Sequence, residues 1–169
     1  MDKQLLIFDF DGTLIDSVPD LADATNAMLT TLGKKTYSLD IIRNWVGNGS
    51  RMLVERALVG KIEVLEGELT VEEADHAEQV FFDAYKNISG SKTVAYPDVD
   101  SGLKKLKAAG YTLALVTNKP IRFVPKILQS FGWQDLFSEV LGGDSLPLKK
   151  PDPAPLLHVC EALNVTPAQ

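Results

Sequence analysis

The sequence predicts an α/β fold: an open parallel sheet interrupted after its first strand by an insertion of helices. Three observations predict it. Residues 5–8, Leu-Leu-Ile-Phe, form a short, wholly apolar run that ends on Asp9 and is followed by Gly12. That is the pattern of a strand buried on both faces which opens into a turn. Residues 111–117, YTLALVT, repeat the pattern. Between the two runs, roughly residues 17–90 show helical spacing only, and after Gly90 helix and strand alternate in the order that builds a parallel sheet.

The elements follow in order. Val18, Leu21, Thr25, Met28, Leu29 and Leu32 have the spacing of an amphipathic helix, with Ser17 as N-cap and Gly33 as its stop just past the C-cap. Ser38 opens a second helix carrying Leu39, Ile41, Ile42, Trp45 and Val46, which Gly47 closes. Ser50 starts a third that ends near Gly60. Thr70 and Glu73 have the spacing of a capping box ahead of Ala74, Ala77, Phe81, Tyr85 and Ile88. Further on, a helix around Val99, Leu103 and Leu106 closes at Gly110, and the strand 111–117 follows. A helix through Ile127, Leu128 and Phe131 closes at Gly132, a strand lies near 138–142, and a last helix runs from about Pro153 to Asn164. The domains expected from this are an α/β core of residues 1–16 and 91–169 and a helical domain of residues 17–90.

Composition excludes several classes. Of 169 residues, 45% are apolar, enough to fill a core. No run approaches 18 apolar residues, so no membrane span is expected. The apolar stretch after Met1 is too short, and too closely flanked by acids, for a signal peptide; a cytoplasmic protein is expected. Cys160 is the single cysteine, which forbids an internal disulfide and a cysteine zinc site. A net charge of −6 disfavours nucleic acid and anionic membranes as partners, so an anionic substrate must be held by local groups. The oligomeric state is left open.

The chemistry concentrates at Asp9-Phe10-Asp11-Gly12-Thr13. Two carboxylates where a buried strand ends are costly unless the site uses them. Alternation sends Asp9 and Asp11 to one side and Phe10 to the core. Ligand sites in such sheets lie at the carboxyl ends of strands, where this pair falls. Two close carboxylates also tend to share a proton unless a cation lies between them, a division that suits a nucleophile beside a general acid. The structural alternative is an Asx turn or helix N-cap made by Asp11.

On this motif the chain resembles the haloacid dehalogenase-like hydrolases, whose first motif is Asp-x-Asp-Gly-Thr at the end of the first strand. Their second motif, a Ser or Thr ending an apolar strand, is matched by Thr117 in Leu113-Ala-Leu-Val-Thr-Asn-Lys119. Their third, a Lys before Pro, is matched by Lys150-Pro151, with Lys149 competing for the role. The resemblance implies a Rossmann-like parallel sheet core with an inserted α-helical cap domain. Three segments are similar to the branch of the family that hydrolyses 2-phosphoglycolate: residues 9–17, the loop Trp45-Val-Gly-Asn-Gly-Ser-Arg51, and Gly142-Gly-Asp-Ser-Leu-Pro147.

The resemblance further implies a Mg²⁺-dependent phosphatase for a small phosphorylated metabolite, with Mg²⁺ held by the Asp9 carboxylate and the Asp11 backbone carbonyl. Asp9 is then the nucleophile, Asp11 the acid and base, Thr117 and Asn118 ligands of the phosphoryl oxygens, and Lys150 the balancing charge. Gly12 and Thr13 join the substrate site. In the helical domain Gly47, Asn48, Gly49 and Arg51 contact the substrate's far end, Arg51 by pairing with a carboxylate. The alternative for that loop is an ordinary interhelical turn with Gly47 past a C-cap and Ser50 as N-cap. The family's fourth motif, a further acidic pair, is not found before Gln169. The sequence therefore reads as a C-terminally truncated form with an open edge beside residues 5–8. Another small-molecule phosphatase or phosphomutase of the family, or a catalytically impaired fragment, are the alternative functions.

Overall fold

The computed structural model describes residues 4–167. Residues 1–3 and 168–169, assigned above to the sheet domain, lie outside the described residues. The chain divides into two compact units, Met1–Asp16 with Val94–Gln169, and Ser17–Thr93.

The first unit is a three-layer α/β sheet. Its strands β1 (Leu5–Phe8), β4 (Thr112–Val116) and β5 (Glu139–Leu141) are parallel and ordered β1-β4-β5. Leu5 to Phe8 pair with Thr112 to Leu115, and Ala114 to Val116 with Glu139 to Leu141. β4 is central, and its alternation feeds both faces. Leu113 and Leu115 enter a cluster with Phe10, Leu103, Val124, Ile127, Leu128 and Trp133, under α5 (Val99–Ala108) and α6 (Val124–Ser130). Ala114 and Val116 enter a smaller cluster with Leu5, Leu141, Val159 and Cys160, under α7 (Ala154–Ala162). A strand covered on both faces has no polar side, hence its unbroken apolar run.

β1 has the open edge expected of it but is less buried than its apolar run predicts. Leu5 is buried, but Leu6, Ile7 and Phe8 are only partly so. Among the described residues β1 pairs with β4 alone, and a strand bonded on one side leaves flank and side chains open. A second departure is a two-residue antiparallel ribbon, β2 (Ile15–Asp16) against β3 (Val94–Ala95).

The second unit contains α1 (Val18–Thr31), α2 (Leu39–Arg43), α3 (Ser50–Val59) and α4 (Val71–Ile88). α1 and α3 pack on α4, and α2 on α1. α1 stops as its sequence dictates: Gly33 takes φ 67°, its N–H bonds the Thr30 carbonyl and the Lys34 N–H bonds the Leu29 carbonyl. That paired closure needs a left-handed residue at the turn, which glycine adopts without strain. The Thr70–Glu73 capping box is complete in both directions. Ser50, by contrast, is the first helical residue of α3, not its cap; Gly49 is the cap, and the Ser50 hydroxyl bonds Glu78 at 2.7 Å. α2 also ends at Arg43, short of the expected Val46.

Asp20 lies in the first turn of α1 and is fully buried. Its carboxylate accepts from the backbone N–H groups of Gly90, Lys92 and Thr93 and from the hydroxyls of Ser91 and Thr93, at 2.5–3.2 Å. One side chain thus binds the segment after α4 to the start of α1. No helix among the described residues is long and apolar enough to cross a membrane.

Candidate active site

Asp9 follows β1 directly, so the strand's length puts it at the carboxyl end of the sheet. Phe10 is wholly buried, and its carbonyl accepts the N–H groups of Thr13, Leu14 and Ile15 in a tight turn. Gly12 provides the positive φ, 78°, on which that turn depends. Alternation then leaves Asp9 and Asp11 partly exposed on the other side. The Gly12 N–H bonds the Ile15 carbonyl and the Thr13 N–H bonds that of Phe10. The amides of Gly12 and Thr13, two residues expected in the substrate site, are thus engaged in the turn, while the side chain of Thr13 is exposed.

Each carboxylate meets a lysine. Lys150 Nζ lies 2.7 Å from Asp9 Oδ1 and donates at 2.8 Å to the Val116 carbonyl at the end of β4. It is Lys150, not the exposed Lys149, that enters the site. Asp9 Oδ1 also accepts the Phe10 N–H at 2.7 Å. The Asp9 side chain nevertheless remains 45% exposed, which leaves the carboxylate approachable. Lys119 Nζ donates to both oxygens of Asp11, at 2.9 and 3.2 Å. Lys119 was not singled out in the sequence. The available signal was its position two residues beyond the end of an apolar strand, in the segment that holds Thr117.

The loop after β4 ties these groups together. Thr117 is buried, its N–H bonds the Leu141 carbonyl, and its Oγ1 accepts the Lys119 N–H at 3.1 Å. Asn118 Nδ2 donates to the Lys150 carbonyl at 2.9 Å, while its buried Oδ1 has no partner among the described residues. Asp144 accepts the Ile121 N–H at 2.7 Å and thus serves the start of a helical turn. Gly142 and Gly143 lie against this loop. A Cβ on Gly143 would collide with the Asn118 carbonyl, and one on Gly142 with the backbone of Ile121.

Gly143→Ala is therefore expected to displace the 117–119 loop and to cost about 1–3 kcal/mol, the usual penalty of overpacking. Gly102→Ala, where α5 has open space, should instead be neutral or stabilise by about 0.5–1 kcal/mol. Urea midpoints of the two variants check the contrast, and equal midpoints would show that the loop yields freely.

The donor set suits a hard divalent cation. The Asp9 carboxylate and the Asp11 backbone carbonyl are oxygen donors, the kind that Mg²⁺ takes, commonly with only one or two carboxylates. Among the described residues no three His, Cys, Asp or Glu side chains gather as a metal cluster.

Gly47, Asn48, Gly49 and Arg51 belong to the helical unit. Arg56 pins their loop: its guanidinium donates to the carbonyls of Trp45 and Ile62 and to Asn48 Oδ1, at 2.6, 2.8 and 3.1 Å. Arg51 has partners other than the substrate carboxylate expected of it. Its guanidinium bonds Asp75, Glu55 at 2.6 Å and the Val71 carbonyl, with Glu78 3.6 Å away. Hydrogen bonds to Asp75 and then Glu55 push its pKa further up. One cation among three carboxylates has little positive field left for a further anion. The i, i+4 spacing to Glu55 was visible in the sequence; Asp75 and Glu78 come from α4 and were not.

Comparison with known proteins bears on this arrangement. A phosphoglycolate phosphatase of Psychrobacter arcticus is 85% identical over 169 residues, which are 100% of this chain and 74% of that protein. One from Colwellia psychrerythraea is 45% identical over 168 residues, 99% of this chain and 74% of that protein. A crystal structure from Haemophilus somnus, described as a predicted phosphoglycolate phosphatase, superposes with a TM-score of 0.87 at 41% identity, covering 99% of this chain and 74% of that one. Residues 6–169 match the family described as haloacid dehalogenase-like hydrolase. With the aspartates at the end of the first strand, the threonine at the end of the central one and the lysine before proline, the chain belongs to the haloacid dehalogenase-like hydrolases.

Proposed function

We propose that this chain hydrolyses a small phosphomonoester, 2-phosphoglycolate foremost, to glycolate and phosphate through an aspartyl-phosphate on Asp9. The observation that carries the reading is the pairing of Asp9 with Lys150 across the ends of β1 and β4, with Asp11 and Thr117 beside them. Relatives that bear the name phosphoglycolate phosphatase support the substrate.

In the first step an Asp9 carboxylate oxygen attacks phosphorus in line, the bond to the glycolate oxygen breaks, and Asp11 delivers a proton to that oxygen. Lys150 offsets the charge on Asp9 and the transferring group, while the Thr117 hydroxyl and backbone N–H groups near Asn118 hold the phosphoryl oxygens. A bound Mg²⁺ supplies further positive charge, lowering the repulsion between carboxylate and phosphate. In the second step Asp11 takes a proton from water, the water oxygen attacks phosphorus, and the bond to Asp9 breaks. The helical unit is read as a cap that excludes water and senses the substrate beyond its phosphate through the 47–49 loop.

Acid quenching of the chain during incubation with Mg²⁺ and ³²P-labelled 2-phosphoglycolate tests the reading. Protein-bound label that survives acid and is released by hydroxylamine is expected, with glycolate and phosphate as products. Absence of both label and products would reject it.

A further inference from the structure

Lys119 ends the segment that carries Thr117 but was given no role there, yet its ammonium is buried against Asp11. Its side chain is 3% exposed, against 20% for its partner Asp11. Burying an ammonium costs several kcal/mol in lost hydration, and an ion pair recovers this only with good geometry. A lysine also surrenders up to about 2 kcal/mol of rotamer entropy when fixed. Both costs are high for a pair that served packing alone, since an apolar residue of the same volume would fill the space more cheaply.

The backbone around Lys119 is held at three points. Its N–H donates to Thr117 Oγ1 at 3.1 Å, its carbonyl accepts the Gly143 N–H at 2.9 Å, and two residues on, the Ile121 N–H is capped by Asp144 at 2.7 Å. The ammonium is thus delivered from a fixed base onto both oxygens of Asp11. Asp11 itself sits in the turn after β1, outside the regular elements apart from an isolated bridge to Ile15. The same three-residue loop reaches the second pair, because Asn118 bonds the carbonyl of Lys150. One segment therefore spans both lysine–aspartate pairs.

We propose that Lys119 is a positioning residue that holds the Asp11 carboxylate in one rotamer at the carboxyl end of the sheet. This rests on the reading of Asp11 as the group that moves the proton. Orientation of that carboxylate, more than its binding of substrate, is what Lys119 supplies, so its loss acts on kcat.

The test uses the whole chain with isotopically labelled aspartate. Hα–Hβ couplings report the Asp11 rotamer by NMR, whether or not substrate turns over. The parent is expected to show one rotamer and Lys119→Met an average of several, with thermal stability equal to or above the parent's. With Mg²⁺ and 2-phosphoglycolate, Lys119→Met should lose about 10- to 100-fold in kcat, part of the usual acid–base contribution, with KM within about twofold. If Lys119→Met does not fold, Lys119→Leu, which likewise has no donor, is read by the same two measurements. An averaged Asp11 rotamer in the parent, an unchanged rotamer in the variant, or an unchanged kcat would overturn the proposal. Loss of KM and kcat together with stability would make Lys119 a packing residue and overturn it too. Absence of the hydroxylamine-labile label in the parent rejects the phosphatase reading instead, and the rotamer measurement still decides what Lys119 does to Asp11.

Discussion

Asp9→Asn is expected to lower hydrolysis of 2-phosphoglycolate by on the order of 10⁴-fold or more while the fold is kept. The two side chains have nearly the same shape. The amide oxygen of asparagine can still accept from the Phe10 N–H and from Lys150 Nζ, the two donors that hold Asp9 Oδ1 now. What is lost is the anionic oxygen that forms the bond to phosphorus, and a neutral amide is a poor nucleophile. KM should move far less than kcat, because in the proposed mechanism Thr117, the loop amides and Lys150 would still hold the phosphate. Steady-state kinetics and a melting curve on the same preparation check both halves. Retention of a tenth of the parent rate, with the melting temperature unchanged, would mean that another group attacks phosphorus.

The second large effect is on stability. Asp20→Ala removes the acceptor of five hydrogen bonds and leaves the Gly90, Lys92 and Thr93 N–H groups without it, at a site where Asp20 has no exposure. Leaving a buried donor unsatisfied costs about 1–3 kcal/mol, and breaking a buried charged network about 3–5 kcal/mol in total. A loss of at least 3 kcal/mol in urea unfolding is expected. Asp20→Asn should recover only part of it, because its NH₂ group would point at N–H donors. A change below 1 kcal/mol in Asp20→Ala would show that the 90–93 segment finds other acceptors and that α1 does not depend on this staple.

Several features were legible because their causes are local. The apolar run of β4 announces a strand covered on both faces. Gly33 and the Thr70–Glu73 pair announce helix ends, since a left-handed turn and a reciprocal cap each need particular residues at fixed spacing. Asp9 was placed at a strand end by the abrupt change from apolar to acidic. Lys150 could be preferred to Lys149 only through the resemblance; the reason is that its ammonium meets both the Val116 carbonyl and Asp9.

By itself, then, the sequence determined the three strands of the parallel sheet, the main helices and such ends as Gly33 and the Thr70–Glu73 cap, and that two aspartates stand at the mouth of the first strand. Periodicity and capping act over at most a few residues, so they are written in consecutive positions. Only the tertiary structure decided that residues 15–16 and 94–95 pair as a ribbon, that Arg51 meets the carboxylates of Asp75 and Glu78 on α4, and that Lys119 is buried against Asp11. Each of these joins residues that the chain keeps apart, as Lys119 and Asp11 are, 108 positions from one another. The partner of a charge is settled by which strand lies beside which and in what register, here Leu5 against Thr112 and Phe8 against Leu115. A lysine whose spacing marks nothing becomes a site residue because closing the sheet removes its water and leaves a carboxylate within reach.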